Sequence, residues 1–268
     1  LEVGYKLSVD KVNLSFLANA SYVKNEIKNL GNQTGYIDKE SLPTLGTVSR
    51  NENGYPIGYF FGYKAIGVFQ TQEEIDSYIS PATGKPIQPN AAPGDTKFED
   101  LNGDGVISDD NEDRTMIGKP NPDWMVGLTV AADWNGFDLS AFFQGSFGAD
   151  VFDALRRYEL AAVNYTSDAL ERWTGPGTSN SMPRIVLGDT PKNFRPSTLL
   201  VHDASFLRLR NLQVGYTLPA QLTRKAYIQR LRFYASFDNL LTITGYKGMD
   251  PEIGSTMGID KGVYPQAR

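Results

Sequence analysis

The sequence contains no cysteine, which removes thiol catalysis, thiolate metal sites and disulfide cross-links together. Histidine is nearly absent as well. His202 is the only one, so zinc would find no second imidazole, and no Ser, Cys or carboxylate stands at motif spacing to make it a base. It reads as a loop or rim residue. No run approaches the roughly 18 apolar residues that a spanning helix needs, but spanning strands produce no such run, so a membrane is not excluded. A net charge of −5 gives no basic footprint for nucleic acid. Carboxylates are plentiful, yet no pair sits in a context that separates a raised from a normal pKa, which speaks against a hydrolase. The chain opens at Leu1 with neither an initiator Met nor a basic-then-apolar leader, and is expected to be a piece of something longer.

What is present is length and alternation. The 268 residues, 40% of them hydrophobic, are enough for one large domain or two small ones. Residues 124–144, WMVGLTVAADWNGFDLSAFFQ, organise the rest. Asn135-Gly136 is a strong signal for a two-residue type I′ turn, because both central positions need positive φ and the flanking runs alternate in polarity. That turn sets Trp134 opposite Phe137, Asp133 opposite Asp138, Ala132 opposite Leu139, Val130 opposite Ala141 and Leu128 opposite Phe143. One face is wholly apolar, with Trp124 at one rim and Trp134 and Phe137 at the other. The opposite face is mostly small and polar, from Gly127 and Thr129 through Asp133, Asp138 and Ser140 to Gln144.

An apolar face of this kind packs on a second sheet in a soluble sandwich, or faces lipid in an outer-membrane barrel. Alternation alone leaves both open. Length and rims favour lipid: at about 3.3 Å per residue a strand over 124–134 reaches roughly 36 Å, enough when tilted to cover a ~25 Å apolar band.

The same pattern recurs along the chain. Val3, Tyr5 and Leu7 alternate with polar residues, and after a tight connection at 9–11 a longer strand places Leu14, Phe16, Ala18, Ala20 and Tyr22 on one face. Residues 30–53 read as a long loop, 56–69 as extended, and 71–79 as a short helix opened by a Thr71-x-x-Glu74 capping box. A Pro-rich connection covers 81–94. Helices are expected over 149–160 and 167–173, and loop over 174–197. Leu212, Val214, Tyr216 and Leu218 share a face, whereas Leu207 and Leu209 are out of phase with them, so a bulge is expected near Arg210-Asn211. The returning strand carries Leu231, Phe233, Ala235, Phe237, Leu241 and Ile243 on one face, with Asn239 the exception. Arg208, Arg210 and Arg232 are read as solvated surface in preference to ion-pair partners.

Residues 100–113, DLNGDGVISDDNED, hold the one stretch with recognisable chemistry. Asp100, Asn102 and Asp104 fall at positions 1, 3 and 5 of a calcium loop, Gly105 at the sharp turn, and Val106 where a backbone carbonyl coordinates. The close departs from the pattern. Position 12 should bring a bidentate carboxylate but holds Asn111, so Asp109, Glu112 or Asp113 would have to complete the shell through a longer loop. A Ca2+ site and a solvated acidic turn both remain open.

Connection lengths then separate barrel from sandwich. They are tight at 9–11 and 135–136 and moderate at 219–230, but very long between about 26 and 123 and between 145 and 204. Barrels sort short turns and long loops by end, and sandwiches have no reason to. GDTKFEDLNGDGVIS, DRTMIGKPNPDWMVGLTVAADWNGFDLSAFFQGSFG, SFLRLRNLQVGYTLP, LRFYASFDNLLTITGYKGMDPE and VYPQAR, spread over most of the chain, resemble the C-terminal part of SusC/RagA-type TonB-linked outer-membrane proteins of Bacteroidetes nutrient uptake.

The resemblance implies an all-β, antiparallel transmembrane barrel of about 22 strands closed by a plug. It further implies a SusD-like lipoprotein as lid, drive from the TonB complex, and oligosaccharide or peptide cargo. Residues 1–268 would be the C-terminal portion of that barrel, some eight to ten strands in the bacterial outer membrane, without plug, N-terminal domain or closing strand. No enzymatic role follows. Asp133, Asp138, Gln144, Tyr234 and Asp238 become lumen candidates for ligand or plug contact. The long loops, especially 71–113 and 156–196 with Tyr158, Tyr165 and Trp173, become candidates for contact with the SusD-like partner. Two alternatives stay beside this reading: a soluble secreted calcium-dependent carbohydrate-binding β-protein, and a siderophore-type outer-membrane receptor.

Overall fold

The computed structural model describes residues 1–43, 45–155, 160, 164–252 and 258–260. The chain divides into two compact units, one made of Leu1–Lys24, Pro122–Ala149 and Asp203–Pro251, the other of Asn25–Asn121, Asp150–His202 and the described residues from Glu252 onward.

The first unit is a single antiparallel sheet of six long strands in sequential order: Glu2–Val9, Val12–Tyr22, Trp124–Trp134, Phe137–Phe147, Phe206–Thr217 and Arg232–Thr244. Its central hairpin has the register that the Asn-Gly turn demands. Asn135 and Gly136 both take positive φ, 48° and 89°, and pairing runs without interruption from Trp134↔Phe137 to Trp124↔Phe147. Asp10, at φ 52°, opens a second two-residue turn between Val9 and Val12.

Because side chains alternate with period two, those registers decide which residues meet on each face. Val130 lies between Phe16 and Ala141, and Leu128 between Ala18 and Phe143; across the next pair Leu139 faces Val214, which faces Ala235. The apolar stripe is therefore continuous over all six strands. Leu128 is 38% and Phe237 47% exposed, and Ala141, at 8%, is a small residue shielded by its larger cross-strand partners Val130 and Leu212. Aromatic rings mark both rims. Tyr22 and Trp124 sit 4.9 Å apart at one, and Trp134, Phe137 and Tyr216 form a chain at the other with centroids 6.2 and 4.4 Å apart. A sandwich would need a second sheet on this face, and the first unit contains none among the described residues.

The expected bulge is present and involves three strands. Arg210 is the extra residue against the Phe137–Phe147 strand, and opposite it the register of Arg232–Thr244 also slips, between Asp238 and Leu241. Asn239, the polar exception in that stripe, takes φ 52° there. Asn tolerates left-handed backbone better than most residues, so the exception has a conformational cause. Of the eight to ten wall strands expected from sequence, six form this sheet.

The second unit is built from the two long connections and is folded in its own right. Val48, Phe60, Phe152, Leu200 and Ile259 bury together, and Ala169, Met182 and Phe194 form a second cluster. Residues 30–53 depart from the expected loop: Tyr36–Asp38 pairs with Ser49–Glu52, and Ser41–Leu42 with Gly46–Thr47. Strands of two to four residues are too short for alternation to reveal. The extended reading of 56–69 holds, as Tyr59–Tyr63 and Ala65–Val68. The short helix is Gln72–Ser77, where Thr71 accepts from the Glu74 amide as expected, but the Glu74 carboxylate reaches back to the Gln70 amide at 2.8 Å instead of to Thr71. The helix expected from 149 is overturned over Asp150–Asp153, which is a strand lying between Val201–Asp203 and Ile259–Asp260. Burial of Val151 and Phe152 against distant partners outweighs the local helical pattern. The rest of that helix, except Ala154, Leu155 and Leu160, lies outside the described residues. The helix expected over 167–173 is a 3-10 turn, Ser167–Glu171.

Candidate functional site

The polar face of the six-stranded sheet carries several clusters of charged and amide side chains, and the strand registers assemble them. Asp138 faces Gly215, two residues from Gln213 on the neighbouring strand, and Arg232 comes from the next strand over. Arg232 donates through Nε to Asp138 at 3.0 Å and through Nη2 to the other Asp138 oxygen and to Gln213 at 3.2 Å. The fork satisfies both carboxylate oxygens, which is why Arg rather than Lys suits this position. Its guanidinium also lies 5.0 Å from the centre of the Tyr234 ring. Asp133 lies directly across the hairpin from Asp138 and opposite Asn13 on its other side. These residues line one end of a 580 Å³ cleft with Lys11 and Arg230.

Further along the same face, Arg210 donates to Gln144 at 2.8 Å, and Asn211 donates to Ser236 and Asp238 at 3.0 and 2.8 Å. Arg208 pairs with Asp250 at 2.6 Å. The expectation that the three arginines are solvated surface is thus corrected. Arg232 and Arg210 reach their acceptors through cross-strand and bulge relationships, and Arg208 reaches Asp250 in the segment beyond the last strand; spacing in one strand displays none of these. Asp138, Gln144, Tyr234 and Asp238 each belong to one of these clusters, which together form a polar lattice of donors and acceptors able to contact polar groups.

The Asp100 loop lies in the second unit, and its side chains are committed mainly to its own backbone. Asp100 accepts from the amides of Gly103 and Gly105 at 2.8 and 2.9 Å, Asn102 from Asp104 at 3.0 Å, and Asp104 from Val106 at 2.9 Å. The buried Asp113 staples the loop by accepting from the amides of Leu101 and Ser108, at 3.1 and 3.0 Å. Glu112 accepts from Asn102 at 2.9 Å. Asp109 does not join them: it pairs with Lys192 and stands 4.0 Å from Arg195. Among the described residues no three His, Cys, Asp or Glu side chains converge as a metal cage. Asp100, Asn102 and Asp104, with the Val106 carbonyl, are the groups a hard cation would have to recruit.

Of the candidate loop aromatics, Tyr158 lies outside the described residues. Tyr165 donates to the Leu160 carbonyl at 2.7 Å and remains 41% exposed. Trp173 donates to Gln70 at 3.2 Å and lies over Gly94 so closely that a Cβ there would meet the indole at 2.4 Å. It anchors loop packing. His202 lies in the strand Val201–Asp203, not in a loop, with Nε2 3.7 Å from Asp153.

A buried polar hub went unread in the sequence. The Asp95 carboxylate, in a residue only 2% exposed, receives Arg184 bidentately at 2.6 and 3.1 Å, Asn193 at 3.0 Å and the Ala92 amide at 2.8 Å. That hydrogen bonding holds the Arg184 guanidinium pKa above its usual value. Asn193 in turn accepts from the Thr96 amide at 2.8 Å. No local motif announces it, since its members are some ninety residues apart.

No protein-family model matches the chain. The chain is 34% identical over 226 residues to TonB-dependent receptor P3 of Formosa agariphila, covering 80% of this chain and 21% of that protein. It is 30% identical over 252 residues to TonB-dependent receptor SusC of Bacteroides thetaiotaomicron, covering 93% of this chain and 23% of that protein. In fold it is similar to a chain in the structure of the RagAB peptide transporter, with a TM-score of 0.73 and 25% identity over 98% of this chain and 27% of the other. These relatives are named as receptors, not enzymes. With the six-stranded ribbon and its two faces already placed, the agreement is complete enough to state that this chain, spanning about a quarter of the relatives' length, belongs to the SusC-type family of TonB-dependent receptors.

Proposed function

We propose that the receptor to which this segment belongs imports oligosaccharides or peptides across the bacterial outer membrane, with a SusD-like lipoprotein closing over the loops and the TonB complex acting through the N-terminal part. The observation that carries this reading is the sheet itself. It presents one unbroken apolar stripe with aromatic rims and one polar lattice, and its tight turns lie at one end while the two long connections leave from the other. The stripe faces acyl chains, and the lattice around Asp138, Arg232, Gln213 and Gln144 lines the lumen. There it offers hydrated donors and acceptors to passing cargo or to a plug.

The folded loop unit supplies the extracellular surface for the lid. Ca2+ is the cation proposed for the Asp100 loop, where it would stiffen that surface without activating a substrate. The test uses the complete receptor. Deletion of 149–202 should abolish co-purification of the lipoprotein while leaving barrel insertion intact, and cells should take up labelled oligosaccharide or peptide. Uptake of an iron chelate alone would instead assign a siderophore receptor, and unchanged co-purification would remove the loops from the lid interface.

A further inference from the structure

Through the second unit runs a stack in which arginine and aromatic side chains alternate. The Arg50 guanidinium lies 4.0 Å from the centroid of Tyr36 and 3.6 Å from that of Phe61. Arg114 lies 4.3 Å from Phe61 and 5.7 Å from Tyr63, and Arg195 lies 4.7 Å from Tyr63 and 4.9 Å from Phe98. A guanidinium held over rings on its faces can donate only through its edges, and it arrives already oriented.

At its Arg195 end the stack borders a 440 Å³ cleft lined by Tyr63, Arg114, Asp189, Lys192 and Arg195. Arg195 and Lys192 also border a second cleft of 690 Å³, which runs along Pro86, Pro89 and Pro191. The charge at this junction is lopsided. Asp189 directs its carboxylate to the amides of Asn193 and Phe194, at 2.8 and 2.9 Å. Arg114 makes no ion pair among the described residues, and its donors go to Asn111 and to the carbonyls of Thr47 and Phe61. Among the described residues Asp109 alone spans Lys192 and Arg195, with its side chain 68% exposed against 14% for Arg195. The Arg195 Nη1 is buried and has no hydrogen-bond partner. Arg195 is thus fixed and under-used, Lys192 beside it is half exposed, and the carboxylate over them is on the solvent side.

We propose that this junction recognises a carboxylate group on the cargo, with Lys192 and Arg195 as its ligands and Asp109 as a built-in competitor that the cargo displaces. The proposal rests on the importer reading and narrows its substrate class to acidic cargo. Exchange of one carboxylate for another keeps the local charge balanced, so no further ion is needed.

The experiment measures binding to the complete receptor with its lipoprotein, in detergent and at two salt concentrations. The probes are a glutamate-containing hexapeptide with its glutamine counterpart, and an oligogalacturonide with a neutral oligosaccharide of equal length. One acidic probe should outbind its neutral partner by about tenfold, the worth of a charge-assisted hydrogen bond, and lose that margin in high salt. Which one does so identifies the source of the carboxylate. Asp109→Asn should widen the margin and Lys192→Gln should erase it, both with unchanged thermal melting. Equal binding of acidic and neutral probes in wild type and in Asp109→Asn overturns the proposal. So does an Asp109→Asn variant that merely melts earlier with the margin unaltered, since Asp109 would then be a loop staple. Uptake and lipoprotein association scored in parallel separate this failure from failure of the importer reading.

Discussion

Arg210 and Asn239 meet across two wall strands, Nη1 donating to Oδ1 at 3.1 Å, and each is the residue at which its own strand leaves strict period-two pairing. The bulge on one strand is thus matched by a left-handed residue on the next. Without the extra residue at Arg210, Leu207 and Leu209 would turn to the polar face, because one residue of slip inverts a strand.

Asn239 should therefore resist branched replacement. Asn239→Val puts a β-branched residue at a φ of 52° and should cost about 1 to 2 kcal/mol, whereas Asn239→Gly should be close to neutral. Urea unfolding of the refolded complete receptor in detergent, comparing the two variants, checks the sign and the order.

Val130 lies mid-strand on the apolar stripe between Phe16 and Ala141. Val130→Arg in the complete barrel should destabilise it by about 2 to 4 kcal/mol, as expected for a cation at bilayer mid-plane. A near-neutral result in lipid would mean that this face does not meet hydrocarbon.

Asp95→Ala removes the acceptor shared by Arg184, Asn193 and Ala92. Stranding those donors should cost the loop unit about 3 to 5 kcal/mol. Hydrogen exchange is the suitable readout: amides of the loop unit should lose protection, and those of the wall strands should not.

Gly94 takes a φ of 92° beneath the Trp173 indole, so Gly94→Ala meets both a backbone and a steric penalty. A loss of about 1 to 3 kcal/mol is expected. Trp173 emission should shift to the red, because the indole must lift from its seat.

Titration of Ca2+ into the complete receptor should release or absorb heat, and Asp104→Ala should weaken the binding. Absence of any calcium heat in the wild type would leave the Asp100 loop as a self-bonded acidic turn, the arrangement its backbone contacts already satisfy.

How much of this could be read in advance depended on sequence distance. The wall was legible because Asn135-Gly136 sets a register and period two then assigns every face, and even the bulge at Arg210 followed from the phase change between Leu209 and Leu212. The polar lattice was half legible. Alternation puts Asp133, Asp138, Gln144, Tyr234 and Asp238 on the polar face, but Arg232 meets Asp138 from 94 residues away, and nothing near either residue marks the other. The loop unit was legible only in its turns. Tyr36–Asp38 and Ser49–Glu52 are too short for periodicity, and in sequence Asp109 is only one of three candidates to close a metal shell, because its partner Lys192 is 83 residues distant.

The pairing of Val12–Tyr22 with Trp124–Trp134 also orders events during assembly. Closing the intervening loop of residues 23–123 costs about 4 kcal/mol of chain entropy, whereas each two-residue turn closes almost as soon as its strands exist. The hairpins at 10–11 and 135–136 should therefore form first as separate pieces, and the seam between them should close late. Until then each hairpin presents a bare edge, open to pairing with any other strand it meets.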